Sequence, residues 1–158
     1  MARQRKDYVG KTLLVEGNSF FKNIKVEETV QVKGKNDSFE IYTKELKIRK
    51  DNNSLGIIAK NVLIGGNNIS SYIDGEDVTI EGNNTSDDIT VKNLTIGKNN
   101  QSGDITANKV IIKGNNKSGK IRADSVTIEG DFIKGTVFAK EFTIKGRLHA
   151  GAKIYIIK

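Results

Sequence analysis

The chain of 158 residues contains no cysteine, no proline, no tryptophan and only one histidine. Without thiols there is neither a disulfide framework nor a thiolate metal site, and His149 alone cannot supply the partners that a zinc site or a nucleophile–base pair requires. Long apolar runs are missing too. No stretch approaches the roughly 20 apolar residues of a membrane-spanning helix, and the opening Met1-Ala-Arg-Gln-Arg-Lys-Asp precedes no apolar signal core. These absences predict a soluble protein that is not secreted. Aromatics are sparse, six Phe and four Tyr, whereas glycine (16 residues) and positive charge (formally +7) are in surplus. Such a surplus favours anionic lipid, nucleic acid or cell-wall polymer as a partner, but on the sequence it reads as spread along the chain without one basic block.

What is abundant is repetition, the first thing to seek in any sequence because it decides the fold. Val30, Leu46, Val62, Val78, Leu94, Val110, Val126 and Phe142 follow one another at intervals of 16 without an insertion. Two places later a β-branched column runs from Val32 and Ile48 to Ile144, so each unit begins with a short period-two strand. A second column, Ile41, Ile57, Ile73, Ile89, Ile105, Ile121 and Val137, is followed two places on by smaller residues such as Ala59, Ala107 and Ala123. Leu13, Val15, Ile24 and Val26 form an earlier copy, one residue longer because of Glu27-Glu28-Thr29, and the last copy drifts out of phase toward Ile154-Tyr155-Ile156-Ile157.

Units this short are too small for hairpins and lack a helical period, and no unit can bury its apolar face alone. Stacked in parallel about 4.8 Å apart, successive coils satisfy each other's backbone and merge their inward columns. The fold class is therefore all-β, a single-stranded right-handed parallel β-helix of about nine 16-residue rungs forming a rod roughly 40 Å long. Residues 1–9 are expected to be a basic leader and 10–158 the β-helix domain.

The corners carry Gly34, Gly66, Gly82, Gly114, Gly130 and Gly146, followed by pairs such as Asn67-Asn68 and Asn83-Asn84, types that tolerate positive φ. Asn repeated at one corner also suits a side-chain amide ladder. The column from Ser38 to Ser118 predicts a hydroxyl ladder at a narrow inner bend. Asp87, Asp88 and Asp104 read as a solvated face, since their column also holds Gly56, Tyr72 and Lys120, and no calcium-binding glycine–aspartate repeat is present. Asn-x-Ser/Thr triplets follow from an Asn corner two residues before a Ser column. Outward Thr79, Thr95, Thr127 and Thr143 reflect β-propensity rather than an ice-matching array. No residue pair suggests catalysis, no cofactor is implied, and no nucleotide or nucleic-acid signature is present.

Nine of the ten aromatics lie near the two ends of the repeat. Finished solenoids normally carry polar caps over their terminal edges. Phe20, Phe21, Phe39 and Tyr42 at one end, with Phe132, Phe138, Phe142, Tyr155, Ile156 and Ile157 at the other, are the expected polymerisation interface, with plugging of the core as the other role open to them. Arg3, Arg5 and Lys6 are the expected membrane tether, three charges supplying about 3 kcal/mol at an anionic surface.

Gly103-Asp-Ile-Thr-Ala before Val110-Ile-Ile-Lys-Gly, Gly119-Lys-Ile-Arg-Ala before Val126-Thr-Ile-Glu-Gly, and Gly135-Thr-Val-Phe-Ala before Phe142-Thr-Ile-Lys-Gly resemble the bactofilin repeat. The match is clear from about Leu94 to Gly151 and looser from Leu13 to Lys92. The resemblance implies a bacterial cytoskeletal protein that polymerises with itself through the ends of its β-helix, without nucleotide. It implies a cytoplasmic place, often at the inner face of the membrane, and a scaffold role for cell-envelope enzymes. The chain departs from that pattern in its Asn-rich corners, its larger number of rungs and its lack of Pro-rich tails. The alternative is a monomeric binding module or an envelope adhesin that uses one face of the rod.

Overall fold

The computed structural model describes residues 5–158 and is an all-β parallel solenoid of about 9 turns of ~16 residues. The strands are β1 (Lys6–Val15), β2 (Ser19–Val32), β3 (Asn36–Ile48), β4 (Asn52–Ile64), β5 (Asn68–Ile80), β6 (Asn84–Thr90) and β7 (Asn93–Ile96). They continue as β8 (Asn100–Ser102), β9 (Ile105–Thr106), β10 (Lys109–Ile112), β11 (Asn116–Ile128), β12 (Phe132–Ile144) and β13 (Leu148–Ile156). Among the described residues the first strand begins at Lys6. Several strands run 13 residues, longer than the short strands read from the repeat, because the parallel ladder follows the chain around its inner corners.

Register holds at 16 residues from β3 to β11, with Val62, Val78, Leu94 and Val110 in one line. It slips between Lys25 and Thr29 and between Phe132 and Lys134, where the repeat lengthens. The interior is a stack of aliphatics: Ile48, Ile64, Ile80, Ile96, Ile112 and Ile128 are each 0% exposed. Full burial of one such side chain contributes about 1.5–3 kcal/mol, and here every one packs on its own equivalents above and below.

The Asn corners hold two ladders. In the buried one Asn36 Nδ2 donates to Asn52 Oδ1 at 2.8 Å, and Asn52, Asn68, Asn84 and Asn100 do the same to the next rung at 2.8–2.9 Å. The second Nδ2 hydrogen goes to the serine two residues on, as from Asn84 to Ser86 Oγ at 2.9 Å. The serines therefore bond to the asparagines of their own rungs instead of forming the hydroxyl ladder expected from their spacing. An inward amide needs two acceptors, and the nearest hydroxyl lies within its own turn.

In the outer ladder a side-chain oxygen receives a backbone N–H from the next turn: the N–H groups of Asn83, Asn99 and Asn115 donate to Oδ1 of Asn67, Asn83 and Asn99 at 2.9, 3.1 and 2.8 Å. Here the corner tilts its N–H out of the sheet ladder and the side chain accepts it. Positive φ plays no part in either ladder, since among the described residues only Gly135 has it. The corner glycines serve close approach instead: a Cβ on Gly114 would stand 2.6 Å from the Lys98 carbonyl carbon.

Candidate functional site

Three surfaces are left for function to use: two ends and the flanks. At the first end Tyr8 folds back, its hydroxyl donating to the Thr12 carbonyl at 2.9 Å and its ring meeting Phe21 edge-on at 5.6 Å. Tyr8, Val15 and Phe21 are half-buried against the core. Arg5 is pinned to the flank by an ion pair with Asp37 at 2.8 Å, its guanidinium 5.6 Å from the Phe39 ring centre. Lys6 lies at the start of β1 and Arg3 lies outside the described residues. Half of the expected tether's described charge is thus engaged within the chain.

At the other end the predicted residues divide by alternation along the strand. Phe132 is 0% exposed and occupies the column of the buried asparagines, directly after Asn116. It belongs to the core, with Phe142 beside it at 6.2 Å, and offers a partner nothing. Phe138 and Tyr155 face outward on the flank, stacked at 5.0 Å under Arg122. Phe142, Ile144 and Ile154 are half-buried where the interior opens. β13 pairs only with β12 among the described strands, and along it Leu148, Tyr155 and Ile156 are 52%, 50% and 63% exposed. Leu148, outside the expected interface, joins this exposed set. Its signal was there, an apolar residue in the asparagine column of the last turn.

On the flanks Phe20 and Phe39 are exposed, as are Leu55, Ile58 and Ile69, which the sequence reading did not single out. Tyr42 is no end plug. Its hydroxyl donates to Glu40 at 2.6 Å, and Tyr72, two turns on, reaches the same carboxylate at 3.2 Å by lying across Gly56. The bond to Glu40, with partial burial and the carboxylate's charge behind it, pushes the Tyr42 phenol up to about 12. The neutral phenol's bond is thus fully present below pH 10 and lost as pH rises toward 12. Ultraviolet titration is expected to show one tyrosine ionising near pH 12, returning to the ordinary range in Glu40→Ala.

Asp88 and Asp104 do not converge on an ion site: each carboxylate accepts a backbone N–H from the next turn, at 3.2 and 2.8 Å. No group of three or more His, Asp or Glu side chains suited to a metal ion exists among the described residues. Asp131 ends the outer ladder, and the Arg147 N–H, followed by His149 and the Arg147 guanidinium, lowers its carboxyl to about 2. Among the described residues no helix is long and apolar enough to cross a membrane. Comparison with protein-family models, with curated proteins and with solved structures finds no match in any of the three, so the chain's own surfaces carry the functional reading.

Proposed function

We propose that the chain is a structural protein that polymerises with itself, a bactofilin-like cytoskeletal scaffold whose solenoids stack end to end without nucleotide. The observation that carries this reading is the surface left by β13: a parallel strand edge with Leu148, Tyr155 and Ile156 exposed beside the half-buried Phe142, Ile144 and Ile154. Unpaired edges over an open core are the standard template for adding another strand. A second solenoid docked there continues the ladder and covers the core. Joining unlike ends gives an open-ended polar filament, and joining like ends an isologous contact.

Negative-stain microscopy of the purified chain without nucleotide is the test. Filaments are expected from the native sequence, and isolated rods from Ile156→Arg and Phe21→Arg, with circular dichroism unchanged for the exposed Ile156 site. Isolated native rods at all concentrations, or filaments unaffected by both changes, would overturn the proposal. Leu55, Ile58 and Ile69 on the flank favour a second reading, a monomeric binding rod, which predicts the first of those two results.

A further inference from the structure

Stacking turns sequence position into height along the rod, and so it turns the charge sequence into bands. Residues 61–91 contain six Asp and Glu and no Lys or Arg, whereas residues 105–123 contain five Lys and Arg and no acid. The charge that reads as dispersed along the chain is therefore segregated along the axis. The registers sharpen this on one face. Asp77, Asn93 and Lys109 stand in one line on successive turns, as do Thr79, Thr95 and Ile111.

Continuing each strand by one step adds Glu81, Gly97 and Lys113, whose N–H groups carry on the same ladder to Ile64, Ile80 and Ile96. Two acids on one turn, Asp77 and Glu81, thus face outward two turns below two lysines, Lys109 and Lys113, with a neutral row of Asn93, Thr95 and Gly97 between. All four charged residues are exposed. Glu81, Lys109 and Lys113 form no ion pair among the described residues, and Asp77 is held only by Asn93 Nδ2 at 2.6 Å. The rectangle measures about 13 Å along the strands and about 10 Å along the rod.

We infer that this face pairs with the same face of a second copy, the two rods antiparallel about a twofold axis that runs along β7. Such an axis reverses height but keeps position along the strand. Asp77 then meets Lys109 of the other copy and Glu81 meets Lys113, and by symmetry the reverse, which makes four opposed pairs from one isologous contact. The neutral row faces itself, and Gly97 at its end has no side chain to hold the sheets apart. Farther out the axis opposes Glu45 to Glu141 and Arg49 to Lys145, and one member of each like pair is already engaged within its own chain, Glu45 by Asn61 at 2.6 Å and Lys145 by Glu129 at 3.0 Å.

A face about 13 Å wide running the length of the rod buries on the order of 1,000 Å² in total, the lower limit for a specific interface. The association is therefore weak and is screened over about 10 Å at 0.1 M salt. The inference concerns a flank and does not depend on end-to-end polymerisation.

The chain lacks cysteine, so Thr95→Cys places a unique thiol on the axis. A short bismaleimide matched to the ~10 Å spacing of facing sheets is expected to convert this variant to covalent dimer at low salt, with yield falling severalfold in 0.5 M salt. Thr143→Cys, on the same face three turns away, should remain monomeric under the same conditions. Lys109→Glu with Lys113→Glu, and separately Asp77→Lys with Glu81→Lys, should each lower the Thr95→Cys cross-linking yield at least tenfold. Mixing the two doubly changed proteins should restore it. Equal cross-linking at 95 and 143, no cross-linking of Thr95→Cys at low salt, or failure of the mixture to recover would each overturn the pairing. Carrying out the measurement on Ile156→Arg as well separates it from polymerisation, since loss of filaments there leaves the expected cross-link unchanged.

Discussion

Asn84→Ala is expected to destabilise the chain by about 3–5 kcal/mol, read from urea melts followed by circular dichroism. The amide is 1% exposed and sits in the middle of the buried ladder. It donates to Asn100 Oδ1 and Ser86 Oγ, both at 2.9 Å, and accepts from Asn68 Nδ2 at 2.9 Å. Removing it strands three polar groups where no water reaches, at about 1–3 kcal/mol for each buried group left unpaired. Asn83→Ala next door is the control. Asn83 accepts one exposed backbone N–H, from Asn99 at 3.1 Å, and its loss is expected to cost about 0.5–1.5 kcal/mol. Equal effects at the two positions would show that the ladder is no more than two neighbouring amides.

Ile96→Ala is expected to cost about 2–5 kcal/mol through lost burial and the cavity left behind. The residue is 0% exposed and lies between Ile80 and Ile112, which have no other layer to close over the gap. Its consequence reaches beyond magnitude. In a solenoid each turn contacts only its neighbours, so stability is a sum of local terms and interfaces. A weakened turn in the middle divides the rod, and denaturant unfolding is expected to separate into two steps where the native chain shows one. Hydrogen exchange should locate the early step at the turns flanking β7. Thr95→Ala, on the outward side of the same strand, is expected to change stability by less than about 0.5 kcal/mol.

Most of the architecture was legible without coordinates because the inward side chains recur every 16 residues, and only a stack of parallel coils can bury columns of that kind. Two of the register slips were also legible, at Glu27-Glu28-Thr29 and in the last copy. The surfaces were harder to read. Phe132 and Phe138 looked alike as terminal aromatics, yet one is buried in the asparagine column and the other is turned to the flank, because side chains alternate along a strand. Tyr42 was placed among the end residues, while its hydroxyl is held by Glu40 beside a tyrosine two turns away. The corner glycines suit positive φ by residue type, yet none of them has it and they serve the closeness of successive turns.

By itself, then, the sequence determined the period, the strand direction, the aliphatic interior and the places where the repeat fails, since each of these follows from which side chains must leave water. Only the tertiary structure decided which serine meets which amide, which aromatic is core, and where like and unlike charges stand on one face. Those depend on bringing residues 16 and 32 positions apart to within one or two turns of each other. Hydrogen bonding and charge are local in space, and a linear pattern conveys them only after the coil has closed.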